Sequence, residues 1–276
     1  MPERNEARQV LLDLDLHRPS EARLYDLFLG GKNSYEVDRR LFREVLEIAP
    51  EAPDLARENR RWLGDAVRWM ISDGVRQLLD LGCGLPAAPN THEVALKADP
   101  QAKVVYVDND LMAISHGQAL LADDHSTFFA GADLTDPESV LEHPVVTEAL
   151  DLNRPVGIIL GLVLHAIPDT RQVRRLVSEY LAAVPPGSYL AITHPVNFRN
   201  GSRLGEFATA VEDKLKESFP AVTFRAPVEL AEIVAGFELI EPGLVDDLTG
   251  WWPPAEQKLG PTGAALLLYV ALARKP

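Results

Sequence analysis

Two glycines and three acids are residues whose types and spacing could support chemistry in this chain. Gly82 and Gly84 follow an apolar run that contains Asp80, and glycine lets a backbone approach a ligand because it has no Cβ atom. Asp108 lies 24 residues after Gly84, near the ~20-residue spacing of an acid that accepts ribose hydroxyls. Asp133 follows a third apolar run. The pattern predicts a site for a nucleotide-like ligand, and the alternative is a glycine-rich turn that binds nothing.

The glycine turn departs from the dinucleotide fingerprint G-x-G-x-x-G. Leu85 and Pro86 follow Gly84, and the third glycine is missing. Asp133, an acid at the third strand end, could accept a hydrogen bond from an adenine amino group. A NAD(P) enzyme has less use for an acid at this position. A NAD(P) oxidoreductase is therefore a disfavoured alternative.

Two histidines stand at predicted strand ends that face the same cleft. His165 follows the fourth apolar run, and His194 ends the fifth. Histidine titrates near neutral pH, so each is a candidate general base. The alternative for both is a hydrogen-bonded histidine that shapes the pocket.

Composition limits the class of protein and the class of partner. The chain has 276 residues and is 46% hydrophobic, which suits one large α/β domain or one domain with a helical extension. No apolar run reaches the ~18–20 residues of a membrane span, and the first residues lack the apolar core of a signal peptide. We therefore expect a cytoplasmic protein without a membrane partner. The net charge of −14 argues against nucleic acid and favours a small-molecule partner.

Three common site chemistries find no support in the sequence. The single cysteine, Cys83, excludes an intramolecular disulfide framework and a cysteine-cluster metal site. No His, Asp and Glu residues have metal-ligand spacing, and G-x-S-x-G is absent, so neither a metal site nor a serine hydrolase is predicted. Cys83 stands between two glycines, where a small side chain is needed.

Apolar runs that alternate with helical patterns would position these residues. The alternation predicts a doubly wound, mostly parallel seven-stranded α/β sheet. The seven strand candidates are 77–81, 103–107, 126–130, 155–161, 188–193, 236–241 and 264–273. The last run is nearly all apolar, which is typical of a central strand. For Trp251 and Trp252 before it, packing under a loop is favoured over an aromatic pocket.

Helical patterns fill the first 75 residues and an insert near residues 198–226. Residues 1–75 are interpreted as a helical extension that covers the mouth of the cleft, and residues 76–276 as the main domain. Within the extension, Gly30 to Asn33 reads as a helix C-cap and turn. The alternative is a lid that lays Tyr25 and Asn33 against a ligand. The insert helix could cover a substrate or be a plain amphipathic surface helix.

The motifs together resemble a bacterial family of S-adenosylmethionine (SAM)-dependent methyltransferase-like proteins, long classified as a domain of unknown function. The matching stretches lie in 19–33, 79–86, 90–94, 104–110, 163–169, 186–190 and 241–245. The resemblance covers nearly the whole chain. It implies a class I methyltransferase fold, which is Rossmann-like, with SAM as the cofactor and S-adenosylhomocysteine (SAH) as the product. It does not indicate the methyl acceptor.

The resemblance lets cofactor roles be assigned as a hypothesis. Gly82 and Gly84 would admit the methionine end of SAM, Asp108 would take the ribose hydroxyls, and Asp133 the adenine amino group, with Leu134 packed on the ring. The expected cofactor contacts are Tyr25, Gly31, Asn33, Asp80, Gly82, Cys83, Gly84, Asp108, Asn109, Asp133, Leu134 and Gly161.

One residue departs from the family pattern. Asn33 stands where the family commonly has Asp, so it would orient the methionine amino group only as a neutral acceptor. The expected activity is O- or N-methylation of a small-molecule acceptor, with His165 and His194 as candidate bases. The alternative is a SAM-binding sensor or interaction protein without catalysis.

Overall fold

The computed structural model describes residues 16–121, 125–244 and 267–276, with the backbone alone at residues 120 and 121. Trp251, Trp252 and the first part of the predicted last strand lie outside these residues. The strands are β1 Gln77–Leu81, β2 Lys103–Asp108, β3 Thr127–Gly131, β4 Gly157–Gly161, β5 Tyr189–Pro195, β6 Glu238–Leu239 and β7 Leu268–Arg274.

Ten α-helices lie in the described part of the chain. They are α1 Glu21–Phe28, α2 Glu36–Ile48, α3 Ala52–Ser72, α4 Thr91–Ala98, α5 Leu111–Leu121, α6 Pro137–Leu141, α7 Pro144–Ala149, α8 Thr170–Ala182, α9 Arg203–Lys216 and α10 Pro227–Ile233. A short 3₁₀ turn, Leu164–Ala166, follows β4. None of these helices combines the length and the apolar character needed to cross a bilayer.

The seven strands form one sheet in the order β3-β2-β1-β4-β5-β7-β6. The first five in this order are parallel, and β7 runs antiparallel to both β5 and β6. The prediction of a mostly parallel seven-stranded sheet is confirmed. β7 lies inside the sheet, as its apolar character indicates, but next to the edge. The sixth strand is shorter than predicted, with two residues in place of 236–241.

Alternate residues of each strand point to opposite faces of the sheet, and each face is covered by helices. On one face Leu78 packs in a buried cluster with α3, whose Trp62 and Met70 are fully buried. On the other face Leu79 packs in a cluster with α8, including Tyr180. The carboxyl ends of β1 to β5 therefore open at one edge, where the connecting loops meet.

Local signals explain how α1 and α2 are joined ahead of the sheet. Ser20 caps α1 and accepts from the Arg23 backbone N–H. The buried Asp38 carboxylate accepts from the Arg23 side chain at 2.8 Å and from the backbone N–H groups of Ser20 and Tyr35. Through these hydrogen bonds, Asp38 at the start of α2 is tied to the start of α1, which fixes the two helices to each other.

Candidate cofactor site

The turn after β1 requires glycine at its first position for two reasons. Gly82 has a φ of +71°, which favours glycine. A Cβ atom there would lie 2.4 Å from Val163 Cγ2 and 3.2 Å from Leu134 Cδ2. Gly84 also has a positive φ, +66°, but an added Cβ would meet nothing within 4 Å. The turn therefore brings bare backbone against the side chains that follow β3 and β4.

Asp108, at the end of β2, holds two loops with its carboxylate. Oδ2 accepts from the Gly84 backbone N–H at 2.7 Å, and Oδ1 accepts from the Asp110 backbone N–H at 2.8 Å. Burial raises the pKa of Asp108, and these two hydrogen bonds oppose the rise. A carboxylate has about four lone-pair sites, so Asp108 keeps acceptor capacity toward a bound hydroxyl.

Asp80, within β1, is a buried acid with one neutral donor. Its side chain is 7% exposed, and its Oδ2 accepts from Thr91 Oγ1 at 2.7 Å. Burial raises the pKa of Asp80 to about 6, although the Thr91 hydrogen bond and the charge of Arg60 act in the opposite direction. Asp80 is thus an acid whose charge is poorly compensated by its surroundings.

Asp133 and Leu134 follow β3 and present an exposed acid beside an apolar side chain. Asp133 Oδ1 accepts from both the backbone N–H and the hydroxyl of Thr135, at 2.8 and 2.7 Å. Leu134 packs against the core cluster beneath it. This pair offers an acceptor and an apolar surface at the edge of the site.

These strand ends and the N-terminal helices line one cavity of about 640 Å³. Its polar part lies at the ends of β1, β2 and β3 and includes Asp80, Gly82, Cys83, Asp108, Asn109, Asp133, Leu134 and, from α1, Tyr25. Gly161 at the end of β4 also lines it. Another part of the wall is an apolar chamber formed by Val45, Ala49, Phe207, Val211, Leu215, Phe219, Val222 and Phe224. α2, α9 and the segment after α9 supply this chamber.

Two of the expected ligand contacts, Gly31 and Asn33, do not line the cavity. They enclose the buried Asp26 instead. The Gly31 N–H donates to the Asp26 carbonyl, and the Asn33 N–H donates to Asp26 Oδ2 at 3.0 Å. A Cβ atom on Gly31 would overlap the Asp26 carboxylate at about 2.1 Å. Gly30 has a φ of +83°, so this stretch forms a helix C-cap and turn, and of the two residues of the lid alternative only Tyr25 lines the cavity. Gly84 is a third expected contact that lies outside the cavity wall, and its N–H donates to Asp108.

His165 lines the cavity and pairs with an acid from α1. Its Nε2 lies 3.2 Å from Glu21 Oε2, and since a carboxylate only accepts, Nε2 carries the proton. His165 Nδ1 is buried and has no hydrogen-bond partner in the described structure. Burial raises the pKa of Glu21, but the hydrogen bond and charge of His165 outweigh that effect and lower it overall.

His194 is bonded in a way that disagrees with a role as general base. It is 1% exposed and does not line the cavity. Its Nε2 accepts from Arg225 Nη1 at 2.8 Å, and its Nδ1–H therefore donates to the Pro195 carbonyl at 2.6 Å. Burial, followed by the charge of Arg225, holds the pKa of His194 well below its ordinary value. The geometry favours the alternative in which His194 is a hydrogen-bonded residue beneath the site.

Several cavity residues escape the sequence reasoning. Asn59 and Arg60 of α3 line it, as do Ser20 and Asp110, whose side chains share a 2.7 Å hydrogen bond. A signal for Asn59 was present, since it falls in helical spacing with the buried Trp62 on an otherwise apolar helix face. In the parts of the chain that the structure describes, no three His, Cys, Asp or Glu side chains are grouped as metal ligands.

Solved structures share this architecture over nearly the whole chain. A methyltransferase candidate from Thermobifida fusca superposes with a TM-score of 0.87 and 38% identity, covering 95% of this chain and 96% of that one. A DUF574 family protein from Streptomyces avermitilis gives 0.87 and 33%, covering 95% and 99%. An O-methyltransferase family protein from Burkholderia thailandensis, at 14% identity and a TM-score of 0.53 over 94% of this chain and 64% of that one, shares the fold alone.

A family model decides the identity of the cofactor. The comparison with curated proteins found no match. The model described as S-adenosyl methyltransferase matches residues 7–276. This match confirms the resemblance seen in the sequence motifs and excludes the NAD(P) alternative. The chain belongs to the S-adenosyl methyltransferase family and is a SAM-dependent methyltransferase.

Proposed function

We propose that the protein transfers the SAM methyl group to a small, largely apolar molecule through a hydroxyl or amino group. The observation that carries this proposal is the apolar chamber, which shares one cavity with the strand-end acids. The chamber offers surface for a second molecule beside the cofactor, which a cofactor-binding sensor would not need. Its aromatic and aliphatic walls favour an acceptor with an apolar body.

The polar part of the cavity fits SAM by charge. SAM carries a sulfonium, an ammonium and a carboxylate, so positive charge is in excess. The described lining residues include five acids, Glu21, Asp80, Asp108, Asp110 and Asp133, and a single Arg or Lys, Arg60. We assign the ribose hydroxyls to Asp108 and the adenine ring to Asp133 and Leu134. The extension formed by α1, α2 and α3 would cover the bound cofactor.

The residues at the end of β4 suit the deprotonation of a hydroxyl acceptor. Bound SAM supplies an electrophilic methyl group, and the sulfonium is released as a neutral thioether. The protein has mainly to hold the two reactants in line. For a hydroxyl acceptor, His165 would take the proton while the Glu21 carboxylate stabilises the resulting imidazolium. An amine acceptor that arrives neutral would not need this base during methyl transfer.

The test is a panel of small apolar phenols, alcohols and amines, with polar analogues of each, incubated with SAM while SAH release is followed. We expect turnover of apolar members and loss of at least about tenfold in Val211→Trp, which fills the chamber. SAH affinity, measured by titration calorimetry, should stay within about twofold of wild type. Asp213→Ala, an exposed change on the same helix, is the matched control.

Two results would argue against this acceptor class. One is a panel without any turned-over member in a protein that binds SAH. The other is a Val211→Trp enzyme whose turnover equals that of wild type.

A further inference from the structure

A polar cluster from α1, α3 and β1 forms the wall of the cavity beside the glycine turn. It consists of Tyr25, Asn59, Arg60 and Asp80, all of which line the cavity. Asn59 Nδ2 donates to the Tyr25 hydroxyl at 2.7 Å, and the charge of Arg60 lowers the pKa values of both Tyr25 and Asp80 against the larger effect of burial. The four side chains therefore act on one another across a single patch.

The side-chain oxygen of Asn59 is a buried acceptor that receives no hydrogen bond from the described residues. Asn59 is 1% exposed, and its Oδ1 has no hydrogen-bond partner among the described residues. The orientation of the amide follows from Tyr25, whose single hydroxyl proton goes to the Ala56 carbonyl at 3.2 Å. The Tyr25 oxygen must then accept, so Asn59 turns its NH₂ toward Tyr25 and keeps Oδ1 for another donor. A buried carbonyl oxygen left without a donor is unfavourable, and a hydrogen bond from a bound ammonium would remove this cost.

Arg60 supplies the positive charge of the cluster and, within the described residues, a free donor that complements the free acceptor of Asn59. Its Nη2 donates to the Ala87 and Pro89 carbonyls, both at 2.6 Å, which fixes the guanidinium beside the loop after β1. Its Nε is buried and has no hydrogen-bond partner in the described structure. Arg60 is also the one Arg or Lys among the described lining residues. Among the described lining residues, a carboxylate in this otherwise acidic cavity would find no other Arg or Lys side chain.

In the cofactor orientation proposed above, the adenosine lies over the ends of β2 and β3. Because β1 and then β4 follow in the sheet order, the amino-acid end of SAM would extend across β1 toward this cluster. α3 crosses the sheet on that side, and its Asn59 turn lies next to the glycine turn.

We propose that Arg60 binds the carboxylate of the SAM amino-acid end and that Asn59 Oδ1, oriented by Tyr25, accepts from its ammonium. This assignment rests on the cofactor orientation proposed above. It gives the amino group to Asn59, which lines the cavity, in place of Asn33, the residue that the family resemblance implies. The cluster would select SAM and SAH over adenosine derivatives that lack a zwitterion.

Titration calorimetry with four ligands tests each contact separately. The ligands are SAH, its analogue without the carboxylate, its analogue without the amino group, and 5′-methylthioadenosine, which lacks both. We expect Arg60→Met to weaken SAH roughly 10- to 100-fold, as for hydrogen bonds to charged groups. The same change should leave the analogue without the carboxylate within about twofold of wild type, because the lost partner is already absent.

Asn59→Leu should lower the affinity for SAH and leave the affinity for the analogue without the amino group nearly unchanged. Arg57→Met is the control, since Arg57 is on the same helix, is exposed and does not line the cavity. Equal weakening of all four ligands by Arg60→Met would mean that Arg60 only supports the Ala87 loop, and this would overturn the proposal. Unchanged SAH affinity would do the same.

The assay contains no acceptor, so its outcome is separate from that of the acceptor panel. If the variants change ligand affinity as expected but no panel member is turned over, the proposed acceptor class is refuted and the proposed role of the cluster stands. If panel members are turned over but both variants bind SAH as wild type does, the proposed role of the cluster is refuted and the proposed acceptor class stands.

Discussion

At the residue scale, Asp80 couples the stability of the fold to the cofactor site. Its pKa is about 6 in the folded protein against an ordinary value of 3.8. Between these values the folded protein binds a proton that the unfolded chain does not, so the free energy of unfolding rises as the pH falls through this window. At pH 7 the ionised, buried Asp80 costs about 3 kcal/mol.

We therefore expect Asp80→Asn to raise the free energy of unfolding at neutral pH by up to about 3 kcal/mol. Asn keeps an oxygen that can accept from Thr91. The gain should shrink toward zero near pH 4, where Asp80 is protonated in the wild-type fold. Urea denaturation at pH 7 and pH 4.5 measures it. A gain of the same size at both pH values would contradict the assignment of the shift to Asp80.

The two histidines differ in what their substitution should change. With a hydroxyl acceptor from the panel, His165→Asn should lower turnover by about 10²-fold or more, because the general base is lost. SAH affinity should be retained. His194→Asn should instead lower the free energy of unfolding by about 1–3 kcal/mol, since it disturbs a buried bond to Arg225. Stopped assays of turnover and urea denaturation separate these effects.

Unchanged turnover of the hydroxyl acceptor in His165→Asn would mean that His165 is not its general base.

At the element scale, the two glycines of the β1 turn form a natural pair for comparison. Both have positive φ, so an alanine at either position carries about 1–2 kcal/mol of backbone strain. Only at Gly82 would the new Cβ collide, with Val163. Gly82→Ala should therefore lower the free energy of unfolding by about 1–3 kcal/mol more than Gly84→Ala does. If denaturant titrations give equal losses of unfolding free energy for the two variants, the turn relaxes around the new Cβ atom and close packing there is unimportant.

The elements also show which local signals were sufficient. The strand β1 and the α4 start were predictable, since Glu93 accepts from the Asn90 backbone N–H as the capping box requires. The turn at Gly30 was predicted as a C-cap on the same kind of local ground. The direction of β7 was not predictable, because alternating or continuous apolar patterns report burial and carry no information on the direction of a neighbouring strand.

At the scale of the whole molecule, the cavity joins segments that lie far apart in the sequence. Residues near the N-terminus, the strand-end loops and α9 each supply one wall. SAH should therefore stabilise the whole fold, by about 2.7 kcal/mol at a hundredfold excess over its Kd. Hydrogen exchange should show added protection in α1 and around Asn59 in α3, as well as at the ends of β1 and β2.

The comparison ligand for this experiment is 5′-methylthioadenosine. It should protect the ends of β2 and β3 and leave α3 near Asn59 unaltered. Protection by SAH that is confined to the strand ends would contradict the role of the N-terminal helices as part of the cofactor site.

The amino-acid sequence by itself determined the strands, the glycine turn, the acids at their ends and the family. These features are local or follow from the rule that parallel strands end at one edge. Only the tertiary structure decided that Asn59 and Arg60 face the cavity while Asn33 and His194 do not. Such placements depend on contacts between distant segments, as Asp26 binds the Asn33 loop and Arg225 binds His194. Residue type and spacing along one segment do not encode those partners.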